Sequence, residues 1–153
     1  MNNRIPDAAL NDPRLELIAG SYQRLTGKLL LDTFDPLALW NAPRAIVAHG
    51  IEDDPVFFYG NKLALQLFEM SFADFTRLPS RYSAEPMAQQ ARVALLDKVT
   101  KQGFVDGYSG MRIAGSGSRF MIAEATIWNL LDETDICHGQ AATFIIPHPL
   151  QIT

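Results

Sequence analysis

The stretch "YGNKLALQLFEMSFADFTRLPSRYSAEP", residues 59–86, decides how this chain folds. It holds two short helix-forming pieces set end to end with a single turn between them. Asn61 is placed to cap the first, and Leu63 with Leu67 and Ala64 with Phe68 recur at i, i+4 along its buried side. Ser71 caps the second. Asp74 follows three residues later in a capping-box arrangement, and Met70 and Phe75 occupy the two positions of a hydrophobic staple. Pro79 and Pro86 then fence off "SRYSAE", which is predicted to be a turn or one helical turn, because proline cannot continue a helix.

Working outward, the period of the pattern changes on both sides. Upstream, "RAIVAHG" and "PVFFYG" are short apolar and aromatic runs divided by the acidic turn "IEDD" and Pro55, which predicts a hairpin of two strands. Before them, "DPLALWNAP" opens with Asp35 and Pro36, and "DPRLELIAGSYQRLTGKLLL" opens with Asp12 as N-cap and Pro13 at the first helical position. In the latter, Leu15, Ile18, Tyr22, Leu25 and Leu29 follow a 3, 4, 3, 4 spacing. That spacing is open to two readings, a helix laid across its own domain or a short dimer seam. Gly20 and Gly27 each weaken the helix by roughly 1 kcal/mol.

Downstream, "PMAQQARVALLDKVTKQG" predicts a longer helix with Met87, Ala91, Leu95 and Val99 at steps of four, closed by Gly103. Three strands follow: "FVDGYSGMRIAG", "RFMIAEATIWNLLD" and "ICHGQAATFII", joined by the turns "SGS" and "ETD". Two strands, several helices, then three strands make an α+β pattern. A lone hairpin is not stable, so all five strands are expected in one antiparallel sheet with the short helices on one face.

The totals agree with one domain. The chain has 153 residues, 48% hydrophobic and 20% charged, which fits an ordinary globular protein rather than a disordered one. Thirteen basic residues against seventeen acidic give a net charge of −4, which disfavours direct nucleic-acid binding. The single cysteine, Cys137, excludes an intrachain disulfide and suits a reducing, cytoplasmic location. No apolar leader or membrane-length apolar run is present in the sequence, so no membrane partner is expected.

The order of elements resembles the PAS fold, in which broken helices lie across a five-stranded antiparallel sheet and enclose a small cavity. "GNKLALQLFEMS" is similar to its Asn-capped helix ending in Phe and followed by a Ser-capped turn. More narrowly, "ALWNAPRAIVAHGIEDDPVFFYGNKLALQLFEMSFADFTRLPSRYSAEP" and "QGFVDGYSGMRIAGSGSRF" resemble the MEKHLA domain. That PAS-related module occurs alone in bacteria and at the C-terminus of plant homeodomain–leucine-zipper regulators. The resemblance implies a helical extension over residues 1–36, a PAS-like MEKHLA domain over 37–147 and a tail over 148–153. The stand-alone bacterial form is the expected one, and the DNA binding of the plant proteins does not carry over, since no homeodomain is present.

Against this family the cofactor signals are weak, and the cofactor is left unknown. Flavin photoreceptors need a cysteine in the helical region that here reads "SRYSAEP", and haem PAS proteins take a histidine from the stretch that here runs from Met87 to Ile113; neither residue is there. A covalent flavin adduct and haem are therefore disfavoured, and Cys137 is read as a small buried residue. "HGIEDD" gathers His49, Glu52, Asp53 and Asp54, yet lacks calcium-loop spacing and reads as an acidic turn. "GSGSR" lacks the lysine of a phosphate loop and reads as a hairpin turn.

Strand alternation supplies the site candidates. Phe120, Ile122, Glu124, Thr126 and Trp128 fall on one side of their strand, and Tyr108, Gly110 and Arg112 share a side of the strand before. If these sides meet the helices, Glu124 is a carboxylate in an apolar layer, with Arg112 or Arg81 as its partner. Either the pair only fixes register, or Arg81, Tyr82, Tyr108, Arg112, Glu124, Thr126 and Trp128 converge on a small ligand. The expected function is a sensory or binding module without catalysis, recognising a small molecule or a protein partner. Its homodimer contacts are expected at the N-terminal helix or the sheet face. Two alternatives stand beside it: a small enzyme using Glu124 or His49 as base, and a structural partner whose cavity is filled by its own side chains.

Overall fold

The pieces between residues 59 and 86 fold separately, as their punctuation requires. In the computed structural model, which describes residues 4–84 and 86–146, α4 (Lys62–Phe68) stops at Glu69 in the left-handed conformation. Asn61 caps it by accepting from the Ala64 amide. α5 (Phe72–Phe75) begins at Ser71, whose Oγ accepts from the Asp74 amide at 3.1 Å. "SRYSAE" gives one 3-10 turn, Ser80–Ser83, stitched to the upstream strand by Ser80 N donating to Pro55 O and Phe57 N donating to Leu78 O.

Ahead of these lie α1 (Ala8–Asn11), α2 (Leu15–Thr26) and α3 (Pro36–Trp40), then β1 (Ala45–His49) and β2 (Phe57–Gly60). α6 (Pro86–Gln102) and strands β3 (Phe104–Ile113), β4 (Arg119–Leu131) and β5 (Cys137–Ile145) complete the chain, and the tail expected over 148–153 lies outside the described residues. The five strands form one antiparallel sheet in the order β2-β1-β5-β4-β3, so the leading hairpin joins the trailing meander through β1 and β5. At that seam Gly139 has φ +142, and a Cβ there would lie 2.0 Å from His49 O, so the position admits only glycine.

Three local expectations are corrected. α2 starts at Leu15 rather than at Pro13, because Asp12 spends its carboxylate on the Arg14 amide and guanidinium. It ends at Gly27, which leaves Leu29 outside the helix and 58% exposed. On α6 the inner stripe is Arg92, Leu95, Leu96 and Val99, at i, i+3, i+4 and i+7, while Ala91 is exposed. Cys137 sits on β5 as expected but is exposed, not buried.

α4, α5 and α6 cover one face of the sheet, and the N-terminal helical segment covers the other. Ala45, Val47, Phe57, Ile122, Ala125, Ile127 and Phe144 pack beneath α4, α5 and α6 on the inner face. On the outer face Ile46, Ala48, Trp128, Leu130 and Ala141 pack beneath α1 and α2. Leu15 and Ile18 are fully buried there, and Tyr22 meets the Trp128 ring edge-on at 4.9 Å. The 3, 4, 3, 4 stripe thus serves its own domain. A dimer seam through that stripe, or through the sheet face beneath it, would have to displace it.

Candidate functional site

A β-bulge decides which side chains reach the space under the helices. Within β4 the pairing shifts between Ala123 and Thr126, where Glu124 adopts φ 50. An inserted residue inverts the alternation beyond it. Phe120 and Ile122 therefore face inward before the bulge, and Ala125, Ile127 and Asn129 face inward after it, as their pairing with inward Tyr108, Ala142 and Gln140 requires.

Beneath the inner face lies a half-open cavity of about 70 Å³. Its walls are apolar: Val47 and Phe57 from the leading hairpin, Phe68 from α4, Ile122 and Ile127 from β4, and Phe144 from β5. α6 closes the top with Leu95 and Leu96, and the 3-10 turn adds Ser80 and Ser83. An engineered cavity of about 150 Å³ admits benzene, so this space suits a guest of a few heavy atoms.

Beside Ser80, Ser83 and Tyr108, the polar side chains His49, Gln140, Arg92 and Arg112 break the apolar lining. Gln140, opposite His49 across β1 and β5, donates through Nε2 to Asn129 Oδ1 and Thr100 Oγ1, both at 3.1 Å. Asn129 Nδ2 donates to Val99 O. These bonds dock the C-terminal half of α6 on the sheet. His49 is held differently. Its Nδ1 lies 3.0 Å from Gly50 O and therefore carries the proton, leaving Nε2 as an acceptor. Nε2 is buried and has no hydrogen-bond partner among the described residues. Burial lowers the pKa of His49 below its ordinary value, so at neutral pH the ring is uncharged.

Arg92 reaches from α6 to Ser80, whose Oγ accepts from its Nη2. Burial, and after it the charge of Arg112, lowers its pKa. Arg112 donates to Met111 O at 2.9 Å and stands over the Tyr108 ring at 5.6 Å. Among the described residues no carboxylate is paired with either guanidinium. Asp54 is already engaged, with both oxygens 3.1 Å from Arg81 Nε.

Of the seven site residues expected from the sequence, the structure brings Tyr108 and Arg112 to the cavity. Arg81 and Tyr82 do not line it; they stack on each other at 4.2 Å on the exposed side of the 3-10 turn. Glu124 is exposed at the bulge, so the buried Glu124–arginine pair does not form, and its carbonyl accepts from Arg44 Nη2 instead. Thr126 and Trp128 lie on the outer face, where Trp128 Nε1 donates to Ile18 O at 3.1 Å. His49 was expected within an acidic turn and as the base of the enzymatic alternative; of that turn, Glu52 caps the Val56 amide while Asp54 holds Arg81. Arg92 and Gln140 were missed. An arginine three and four residues before Leu95 and Leu96 was the available signal.

The residues do not fit a covalent flavin adduct, since Cys137, the one cysteine, is exposed at the start of β5 and is absent from the lining. His49 is an imidazole facing the cavity, but the space cannot take a macrocycle without displacing its aromatic walls. Among the described residues no three metal-ligating side chains cluster, and no helix is long and apolar enough to cross a membrane.

Comparison with solved structures places the fold. A PAS domain from Colwellia psychrerythraea superposes with a TM-score of 0.63 at 17% identity, covering 72% of this chain and 92% of that one. A PAS domain of a LuxR-family transcriptional regulator from Burkholderia thailandensis, solved in complex with ethanol, gives 0.58 at 17% identity over 74% and 97%. The light-state dimer of the fungal blue-light photoreceptor Vivid gives 0.59 at 15% identity over 84% and 93%. In sequence, the homeobox-leucine zipper protein HOX9 of Oryza sativa is 26% identical over 134 residues, 84% of this chain but 16% of that protein. ATHB-14 of Arabidopsis thaliana is 23% identical over 128 residues, 82% of this chain and 14% of the plant protein. The chain thus spans less than a fifth of the length of these relatives. The MEKHLA domain model matches residues 13–146, taking in α2 as well as the PAS-like sheet, and the chain is a member of the MEKHLA domain family.

Proposed function

We propose that this chain is a sensory module that binds a small molecule between sheet and helices and does no chemistry on it. The observation that carries this reading is the buried Nε2 of His49 in the cavity lining, unpartnered among the described residues. A buried acceptor left without a donor costs about 1–3 kcal/mol, and a guest that donates to it removes that cost. Apolar walls with a few aimed polar groups are the usual form of a ligand site. The catalytic alternative loses one of its two bases, since Glu124 is exposed on the strand.

Association with a protein partner or a second copy belongs to the same reading, through surface other than the α2 stripe. The exposed thiol of Cys137 suits a reducing cytoplasm. The test is thermal unfolding of the purified protein against a broad panel of metabolites and flavins. A ligand that binds only the folded state raises stability by RT ln(1 + [L]/Kd). At least one compound should raise the melting temperature in proportion to the logarithm of its concentration, with no turnover on prolonged incubation. A melting temperature indifferent to the whole panel would count against a receptor.

A further inference from the structure

An acidic chain of net charge −4 has placed two guanidinium groups at one small cavity without giving either a carboxylate among the described residues. Arg92 makes one bond there, to the Ser80 hydroxyl, out of five N–H donors. Arg112 is close enough for its charge to act on Arg92, and the nearby Asp54 is held by Arg81. Two like charges facing one partly desolvated space repel each other, and an anion between them turns that repulsion into attraction.

The opposite requirement comes from His49. Its Nε2 offers a lone pair, so the guest must bring a hydrogen-bond donor. An ammonium donor is disfavoured, because two guanidinium groups already line the space that His49 faces. A neutral hydroxyl meets no such penalty. Of the remaining walls, Phe68, Ile122 and Phe144 meet only hydrocarbon, and the polar Ser80, Ser83 and Gln140 are already engaged in hydrogen bonds of their own. With room for a few heavy atoms, the three demands describe one class of molecule.

Resting on the cavity's reading as a ligand site, we infer that its guest is a short hydroxy acid. The carboxylate lies between Arg92 and Arg112, and the hydroxyl donates to His49 Nε2. Neither flavin nor a neutral alcohol satisfies all three groups.

The experiment uses the full chain, with calorimetry and thermal unfolding against lactate, 2-hydroxybutyrate and 3-hydroxybutyrate. Each acid is compared with its own amide, with propionate or butyrate as the acid lacking the hydroxyl, and with inorganic phosphate. At least one hydroxy acid should bind tenfold or more tighter than its amide and than the deoxy acid. Arg112→Gln, on a partly exposed strand residue that folding tolerates, should erase the acid-over-amide preference, as should Arg92→Gln. His49→Phe should erase the hydroxyl preference and keep the acid preference. Amides or alcohols binding as well as the acids would overturn the inference and leave the receptor reading standing. Phosphate binding as tightly as every hydroxy acid would reduce the site to a general anion clamp and also overturn it. If none of these compounds binds, the inference falls, while the receptor reading is decided by the broad panel of metabolites and flavins.

Discussion

Two side-chain atoms are buried without a partner among the described residues, His49 Nε2 and the Tyr59 hydroxyl, and what each one faces sets what its removal does. Tyr59 pairs across the strands with Ala48 and packs edge-on to Phe72 at 6.3 Å, away from the cavity lining. Burial raises its pKa, so the hydroxyl stays neutral and unsatisfied. Tyr59→Phe should therefore leave stability unchanged or raise it by up to about 1 kcal/mol in urea unfolding, since it deletes an unmet donor and keeps the ring. His49 couples the cavity to pH. Burial lowers its pKa, with Arg92 adding to the shift while the Gly50 carbonyl and Glu52 oppose it. The unfolded imidazole takes its proton first as pH falls through about 6.5, so the unfolded state then binds more protons and stability drops. The penalty grows from there down to the lowered folded pKa and is absent above 6.5. Urea midpoints at pH 7.5, 6.5 and 5.5 should show this slope, and His49→Phe should flatten it. An unchanged slope in that variant would assign the effect to other groups.

At the scale of elements, Asn61 shows why some of this fold could be read in advance. Its side chain accepts from the Ala64 and Ile46 amides and donates to Leu39 O and Arg44 O, so one capping residue joins α3, β1 and α4. Asn61→Ala should cost about 2–4 kcal/mol by chemical denaturation, well beyond an ordinary cap, because four backbone groups, three of them in buried bonds, lose a partner at once. A cost under 1 kcal/mol would mean that water replaces them all. The caps at Asp35, Asn61 and Ser71, the proline fences and the five strands were legible because each acts over a few residues. The bulge at Glu124 was not. Nothing in "MIAEATIW" marks a left-handed glutamate, and one such residue exchanged the faces of Thr126 and Trp128. The site was lost with that register: two of seven expected residues line the cavity, while Arg92 and Gln140 depended on which stripe of α6 turns inward.

The whole molecule is a sheet with two covers, and the outer one is supplied by the segment the sequence assigned to an extension. Trp128 and Leu130 are fully buried beneath α1 and α2, with Ile46 and Ala48 beside them. Polar bonds fix that cover in place: Ser21 Oγ donates to Leu131 O and accepts from Leu131 N, and Arg24 reaches Asp132 O and Asp135. Uncovering a buried side chain of this size forfeits about 1.5–3 kcal/mol, and several would be uncovered together. A domain's total stability is about 5–15 kcal/mol, so the loss is of the same order as the whole. A fragment of residues 37–153 should therefore show no cooperative unfolding transition and should bind a hydrophobic dye. A peptide of residues 4–34 added in trans should restore the transition, because the outer face of the sheet and the helices that cover it bury one shared cluster. If the fragment instead melts cooperatively within a few degrees of the full chain, the outer cover is dispensable. The hydrophobic ledge around Trp128 would then be free to serve as the contact between copies that the N-terminal stripe itself cannot provide.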